Sequence, residues 1–330
     1  MKRTSFTLAV ALIAVFSLLS VSRLFNTVHA QSDRALAAQA GENGPPEIIK
    51  HSMKEHGPDA YSVTTGGTAA TTRISYHGGP LIATPVVYVI WYGNWNQANG
   101  SDNAAGQQIV RDFLTSVGGS PYFLINTSYS ASPYSITGQV IKGTETTVSY
   151  PNGSNLSDAS ILTIVNNAIT SGSLPYDANG VYFVLTSSDV AESSGFCSNY
   201  CGWHTAGTAT QGHVRYSFVG NAKRCLSSCA EQGTVSPNGN PGVDGMLSVV
   251  AHELEEATTD PDPRSGWADS RGAENADKCA WTFGHYQFQT ANGSWANMHL
   301  GSRDYLIQRN LFHNLNGSGK DYCMMDSIHN

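Results

Sequence analysis

The clearest signal along the chain is the spacing of its apolar residues. Pro85-Val86-Val87-Tyr88-Val89-Ile90-Trp91-Tyr92 is a continuous apolar run bounded by Pro and Gly, the pattern of a strand buried on both faces. Residues 107–114 have helical spacing and run into Gly118-Gly119, a stop signal. Strand-like pieces follow at 135–141 and 146–150. Leu156-Ser157-Asp158 opens a second helix through Ile161, Val165 and Ile169, ending at Gly172. Val181-Tyr182-Phe183-Val184-Leu185-Thr186 is a second buried strand. Residues 213–219 alternate like a strand at a sheet edge. Asp244 is placed to cap a third helix reaching Thr258, stopped by Asp260-Pro261. Beyond Pro261 the chain turns to Trp, Gly and short strands, of which Tyr305-Leu306-Ile307-Gln308 is the clearest. This alternation predicts a mixed α/β domain with a largely parallel sheet and covering helices. There is no long internal repeat.

The amino terminus reads differently. Lys2 and Arg3, an apolar stretch from Phe6 to Leu19, and Val28-His29-Ala30 before Gln31 form an export signal over residues 1–30. The apolar run is shorter than the roughly 18–20 residues that span a bilayer, and Arg23 follows it closely, so a cleaved signal is expected rather than an anchor. No later segment suits a membrane span. Residues 31–73, with Gly-Pro-Pro and no sustained period, read as a flexible arm, leaving one globular domain over 74–330. Of 330 residues, 40% are hydrophobic, enough for one sizeable core, while 13% are charged, as suits an extracellular surface. A formal net charge of −7, with no basic cluster after the first few residues, argues against a nucleic-acid backbone as partner.

Export changes the reading of the six cysteines, Cys197, Cys201, Cys225, Cys229, Cys279 and Cys323. They imply three disulfides, among about 15 possible pairings. The two close pairs, Cys197/Cys201 and Cys225/Cys229, could each close locally or link to each other, leaving Cys279 with Cys323. A four-cysteine zinc site from the two close pairs is the rival reading.

The chemistry concentrates in the third helix. Leu247, Val250, Ala251, Leu254 and Thr258 make its packed stripe. His252 and Glu256, four apart, share another face, with Glu253 beside them. Two ligands at i and i+4 with a carboxylate between is the logic of the H-E-x-x-H zinc helix, in which the middle Glu takes a proton from water that the cation has acidified. Here the fifth position is Glu256, so zinc is the first expectation and calcium the second, carboxylates also suiting harder cations. A further ligand is expected from Glu274-Asn275-Ala276-Asp277 before Cys279, Asp277 first and Glu274 second. Asp260, Asp262 and Asp269 rank below them; His204, which follows Cys201-Gly202-Trp203 and could approach the site through the cysteine loop, and His77, just before the first strand, are more often packing or surface residues than ligands. The plain alternative makes His252, Glu253 and Glu256 a solvated helix face. Against it stand the narrowness of that face and two acids, Glu255 and Glu256, opposing the dipole at a helix carboxyl end. Neither a G-x-S-x-G elbow nor a phosphate-cradling glycine loop is present.

Several motifs occur together and in order: Tyr76-His77-Gly78-Gly79-Pro80, Val89-Ile90-Trp91-Tyr92-Gly93-Asn94-Trp95, residues 184–190, Phe196-Cys197 through Cys201-Gly202-Trp203-His204, Phe218-Val219-Gly220-Asn221, His252-Glu253-Leu254 and Glu274-x-x-Asp277-x-Cys279. Over residues 74–325 the sequence resembles the EXORDIUM, or phosphate-induced protein, family. Departures at Ser236-Pro237-Asn238-Gly239 and Thr258-Thr259-Asp260-Pro261 look like a microbial branch. The resemblance implies an extracellular, cell-wall-associated protein whose His-Glu helix and 274–277 loop belong to one design. The strand and helix order also looks metzincin-like, an analogy at the level of fold. Two functions follow as expectations. One is a secreted metal-dependent, peptidase-like hydrolase, with His252, Glu256 and Asp277 on the ion and Glu253 as base. The other is a non-catalytic protein binding extracellular cell-wall polymer, its exposed Trp and Tyr stacking on sugar rings.

Overall fold

The computed structural model describes residues 73–315 and 320–326. The expected export signal and all but the last residue of the arm lie outside the described residues. The main elements are β1 (Val86–Tyr92), α1 (Ala104–Ser116), β2 (Ile141–Val148), α2 (Asp158–Thr170), β3 (Gly180–Thr186), β4 (Gly202–Ala209), β5 (Gly212–Gly220) and α3 (Pro241–Thr259). The five strands form one sheet in the order β2-β1-β3-β5-β4. β1 pairs in parallel with β2 and β3, β3 pairs in parallel with β5, and β4 returns antiparallel to β5. Small two-stranded sheets surround it. The fold is mixed α/β, fastened by three disulfides.

β1 and β3 form the centre because their side chains serve both faces. Every residue of β3 is buried, as is all of β1 but Val86. The helices start where local chemistry satisfies free N–H groups. Asn103 caps α1 by accepting from Gly106 N–H, and Ser157 caps α2 in a reciprocal box with Ser160. α3 begins at Asn240, whose side chain accepts from Val243 N–H, with Pro241 at the first helical position, where a missing N–H costs nothing.

Two glycines on β4 show how the layers close. A Cβ on Gly202 would lie 2.6 Å from Val249 Cγ1 of α3, and one on Gly207 would lie 3.2 Å from Leu162 Cδ2 of α2. An odd spacing on a strand means opposite faces, so α3 and α2 cover opposite sides of the sheet. His204 shares the parity of Gly202 and therefore faces α3.

The structure corrects several expectations. The strand at 213–219 is interior, between β3 and β4. The edge is β4, whose small and polar residues carry no apolar alternation. Residues 135–140 lie outside the sheet, and a single strand, β2, replaces the two pieces expected there. Asp244 is inside the first turn of α3 rather than its cap, accepting from Ser236 Oγ at 2.5 Å and from Asn238 N–H at 3.0 Å. The strand expected at Tyr305–Gln308 instead occupies Arg303–Tyr305, paired with Met298–Leu300. No helix among the described residues is long and apolar enough to cross a membrane.

Candidate metal centre

Every residue of α3 from Gly242 to Thr259 is buried, which removes the solvated-face reading of its polar residues. His252 is 1% exposed, Glu253 0% and Glu256 1%. Burying three ionisable side chains on adjacent turns requires partners nearby, and they come from three directions. Within the helix, His252 Nε2 lies 2.9 Å from Glu256 Oε1, as the i, i+4 spacing dictates. The 274–277 turn brings Asp277 Oδ1 to 3.6 Å from His252 Nε2, and Asp277 N–H donates to Glu256 Oε1 at 2.9 Å. From β4, His204 Nε2 stands 3.0 Å from Glu274 Oε2 and 3.8 Å from Glu256 Oε2.

The turn is held where it meets the helix. Glu274 N–H donates to Asp277 Oδ2 at 3.2 Å, and Thr259 Oγ1 donates to Asn275 Oδ1 at 3.1 Å. Lys278 pairs with Asp269, and Cys279 is bonded to Cys323. β4 is tied just as firmly. Cys197–Cys225 and Cys201–Cys229 are two disulfides of equal sequence separation, 28, joining the segment that enters β4 to the segment that leaves β5. The close cysteine pairs therefore link to each other, and no thiol remains for the four-cysteine zinc site.

The electrostatics reflect this crowding. Burial, and then the neighbouring Glu256, raise Glu253 well above the usual carboxylate range, and burial with Asp277 alongside lifts Glu256 to about 7. Burial and the charges of Glu256 and Asp260 push Glu274 in the same direction. Burial depresses His204 to about 3, although its Nε2 stands 3.0 Å from Glu274 Oε2. His252 behaves oppositely: burial pulls it down, but Glu256 and Asp277 prevail and hold it well above its ordinary value. Among the described residues no lysine or arginine pairs with Glu253, Glu256, Glu274 or Asp277. Both oxygens of Glu253 are buried and make no hydrogen bond.

Ligand atoms of His252, Glu253 and Glu256 all lie within 4.8 Å of one another, and so do those of His204, Glu256 and Glu274. Each trio offers one imidazole and two carboxylates, nitrogen and oxygen donors of the kinds that hold divalent cations.

A family model described as the phosphate-induced protein 1 conserved region matches residues 74–305. The chain belongs to the phosphate-induced protein 1 family. It is 32% identical over 283 residues to Protein EXORDIUM-like 3 of Arabidopsis thaliana, covering 73% of this chain and 81% of that relative. It is 31% identical over 237 residues to Protein EXORDIUM-like 5 of the same plant, covering 62% of this chain and 63% of that relative. Protein PHOSPHATE-INDUCED 1 of Nicotiana tabacum is 28% identical over 224 residues, covering 57% of this chain and 65% of that relative. No solved structure matches the chain.

In this phosphate-induced protein 1 family member, the residues singled out from sequence divide cleanly. His252, Glu253, Glu256, Glu274 and Asp277 come together. Asp260, Asp262 and Asp269 serve other partners: Asp260 accepts from the N–H groups of Arg264, Ser265 and Gly266, Asp262 faces Arg215 and His213, and Asp269 faces Lys278. His77 Nε2 sits 3.1 Å from Ala268 O, away from the centre. His204 is the residue that sequence reasoning ranked too low. Its signal was a polar side chain beside Trp203 in a segment pinned by Cys201, where a surface histidine has no reason to be.

Proposed function

We propose that this protein is a secreted, metal-dependent hydrolase acting on peptide-like substrates, with His252 and Glu256 as the core of the cation site and Asp277 completing it. The observation that carries the reading is Glu253. It is fully buried beside two metal-ligating side-chain types, and neither of its oxygens is engaged by a protein donor. A carboxylate kept free at that cost has the placement of a general base. A bound divalent cation supplies the acidity that makes a nearby water a nucleophile at neutral pH. Zinc is the first choice and calcium the second. The arrival of His204 beside Glu256 and Glu274 favours zinc, because calcium prefers an all-oxygen shell. A metzincin-like architecture is supported by the sheet that leads through β5 into a His-Glu helix. Export accords with the three disulfides and with the family.

Asp277 is 18% exposed while His204, His252, Glu253, Glu256 and Glu274 are 1% exposed or less, so the reading takes substrate to approach from the Asp277 side. The second reading is a non-catalytic binder of extracellular cell-wall polymer in which the same ion is structural or absent. Exposed aromatics favour it, chiefly Tyr286, Phe288 and Trp295, the last two on the hairpin that pairs Phe288–Gln289 with Trp295–Ala296.

The test uses protein purified without chelator. The hydrolase reading expects bound zinc, and a Glu253→Gln variant that keeps its metal but loses hydrolysis of a peptide library. Retention of hydrolysis in that variant removes Glu253 from the chemistry. Calcium or no metal, with polysaccharide binding unchanged in Glu253→Gln, establishes the second reading instead.

A further inference from the structure

We propose that the centre takes two divalent cations, the second held by His204 and Glu274 with Glu256 as the carboxylate bridging both. This deepens the reading above and rests on it.

Glu256 presents its oxygens in two directions. Oε1 faces His252 at 2.9 Å, and Oε2 faces His204 at 3.8 Å. Each histidine belongs to its own close-set trio, and the two trios have Glu256 alone in common. His204 and Glu274 come from β4 and the 274–277 turn, so they form a pair that owes nothing to the helical i, i+4 spacing. That pair also has unspent capacity. Glu274 is 0% exposed, yet its Oε1 makes no hydrogen bond. Leaving a buried carboxylate oxygen without a donor is costly, and a cation removes the cost.

Charge points the same way. Glu253, Glu256, Glu274 and Asp277 converge, and no lysine or arginine pairs with any of them among the described residues. Two imidazoles with four carboxylates is also the donor set of carboxylate-bridged two-metal centres built between helices. Here a strand, a helix and a turn supply it. A single bridging carboxylate suits ions roughly 3.5–4 Å apart. The mixed nitrogen and oxygen donors select zinc, manganese or ferrous ions over calcium or magnesium.

The experiment takes the disulfide-bonded full chain, loads it with Zn²⁺ or with Mn²⁺, removes free ions by desalting, and counts bound metal by mass spectrometry. The expected result is about two ions per chain, falling to about one in Glu274→Gln and in His204→Gln while circular dichroism stays that of the parent. The Mn²⁺-loaded parent should give an exchange-coupled paramagnetic resonance spectrum, and both variants the six-line pattern of an isolated ion. One ion per chain with an isolated-ion spectrum overturns the second position and leaves the single-cation reading standing. Two ions undiminished in both variants place the second elsewhere and also overturn it. No bound ion overturns both readings.

Discussion

Substituting Glu256 by Gln should flatten the pH dependence of stability in metal-free protein, and the size of the effect follows from the burial of this one side chain. Glu256 is 1% exposed, and its pKa stands at about 7 against 4.5 for the free side chain, burial being the main cause and Asp277 the next. The folded state therefore keeps a proton that the unfolded chain loses above pH 4.5. Stability is unaffected by this group below 4.5 and falls as pH rises toward 7, by up to about 1.4 kcal/mol per pH unit. Over the whole window the loss is about 3 kcal/mol. Glu253 and Glu274, raised in the same sense, add to the fall, and Asp260, lifted to about 6 mainly by burial, contributes over its own range. His204 opposes them. Its imidazole is neutral in the fold down to about 3, so it destabilises below its ordinary 6.5 and recovers as pH rises through that range. Part of this background is itself set by Glu256, which raises His252, Glu253 and Glu274, so its replacement relaxes those shifts too and flattens the profile in the same sense. The assay is urea unfolding of chelated protein at half-unit steps from pH 4.5 to 7.5, repeated with Zn²⁺. The parent should lose stability toward neutral pH, Glu256→Gln should lose about 3 kcal/mol less, and Zn²⁺ should abolish the parent's decline. Parallel parent and variant profiles in chelator would refute the reasoning, since Glu256 would then titrate alike in the folded and unfolded chains.

Two further substitutions test what positions the centre. Replacing Cys279 and Cys323 by Ser opens a disulfide of sequence separation 44 and should cost about 4 kcal/mol in chemical unfolding by the loop-entropy relation, with weaker zinc retention because the 274–277 turn loses its anchor. Asp102→Ala should cost about 3 kcal/mol or more. Beyond the carboxyl ends of β1 and β3 this buried carboxylate accepts from Asn99 Nδ2, Ser188 N–H and Asn221 Nδ2; the variant leaves Ser188 N–H without an acceptor and takes one bond from each amide, which keep Ser188 Oγ and Ser101 Oγ, and a melting temperature unchanged within a degree or two contradicts that role.

The elements that sequence predicted well are those whose environment is uniform along their length. β1 and β3 are buried on both faces, so unbroken apolar runs betray them. α1 and α2 have one buried face, and their period shows. β4 escaped because Gly202-Trp203-His204-Thr205-Ala206-Gly207-Thr208-Ala209 owes its place to what it avoids. Glycine at 202 and at 207 lets the helices approach closely, and closeness of that kind leaves no hydrophobic signature. The centre divides likewise. His252, Glu253 and Glu256 are legible because helical geometry converts spacing into proximity. Glu274 and Asp277 were found by their position before a cysteine. His204 was undervalued because its convergence depends on an antiparallel return and two disulfides, a long-range arrangement that no local window records. The burial of all of α3 was equally hidden, four acidic residues having the look of a wet surface.

The paired bridges that fasten the entrance of β4 impose an order on biosynthesis. Cys201 stands three residues before His204, and its bond to Cys229 fixes where that imidazole can reach. Chains made in a reducing cytosol would hold His204 beside the helix by the β4–β5 pairing alone. On the proposed reading, a recombinant preparation that skips the oxidising compartment would bind its ion more weakly and test as inert for reasons unrelated to its sequence.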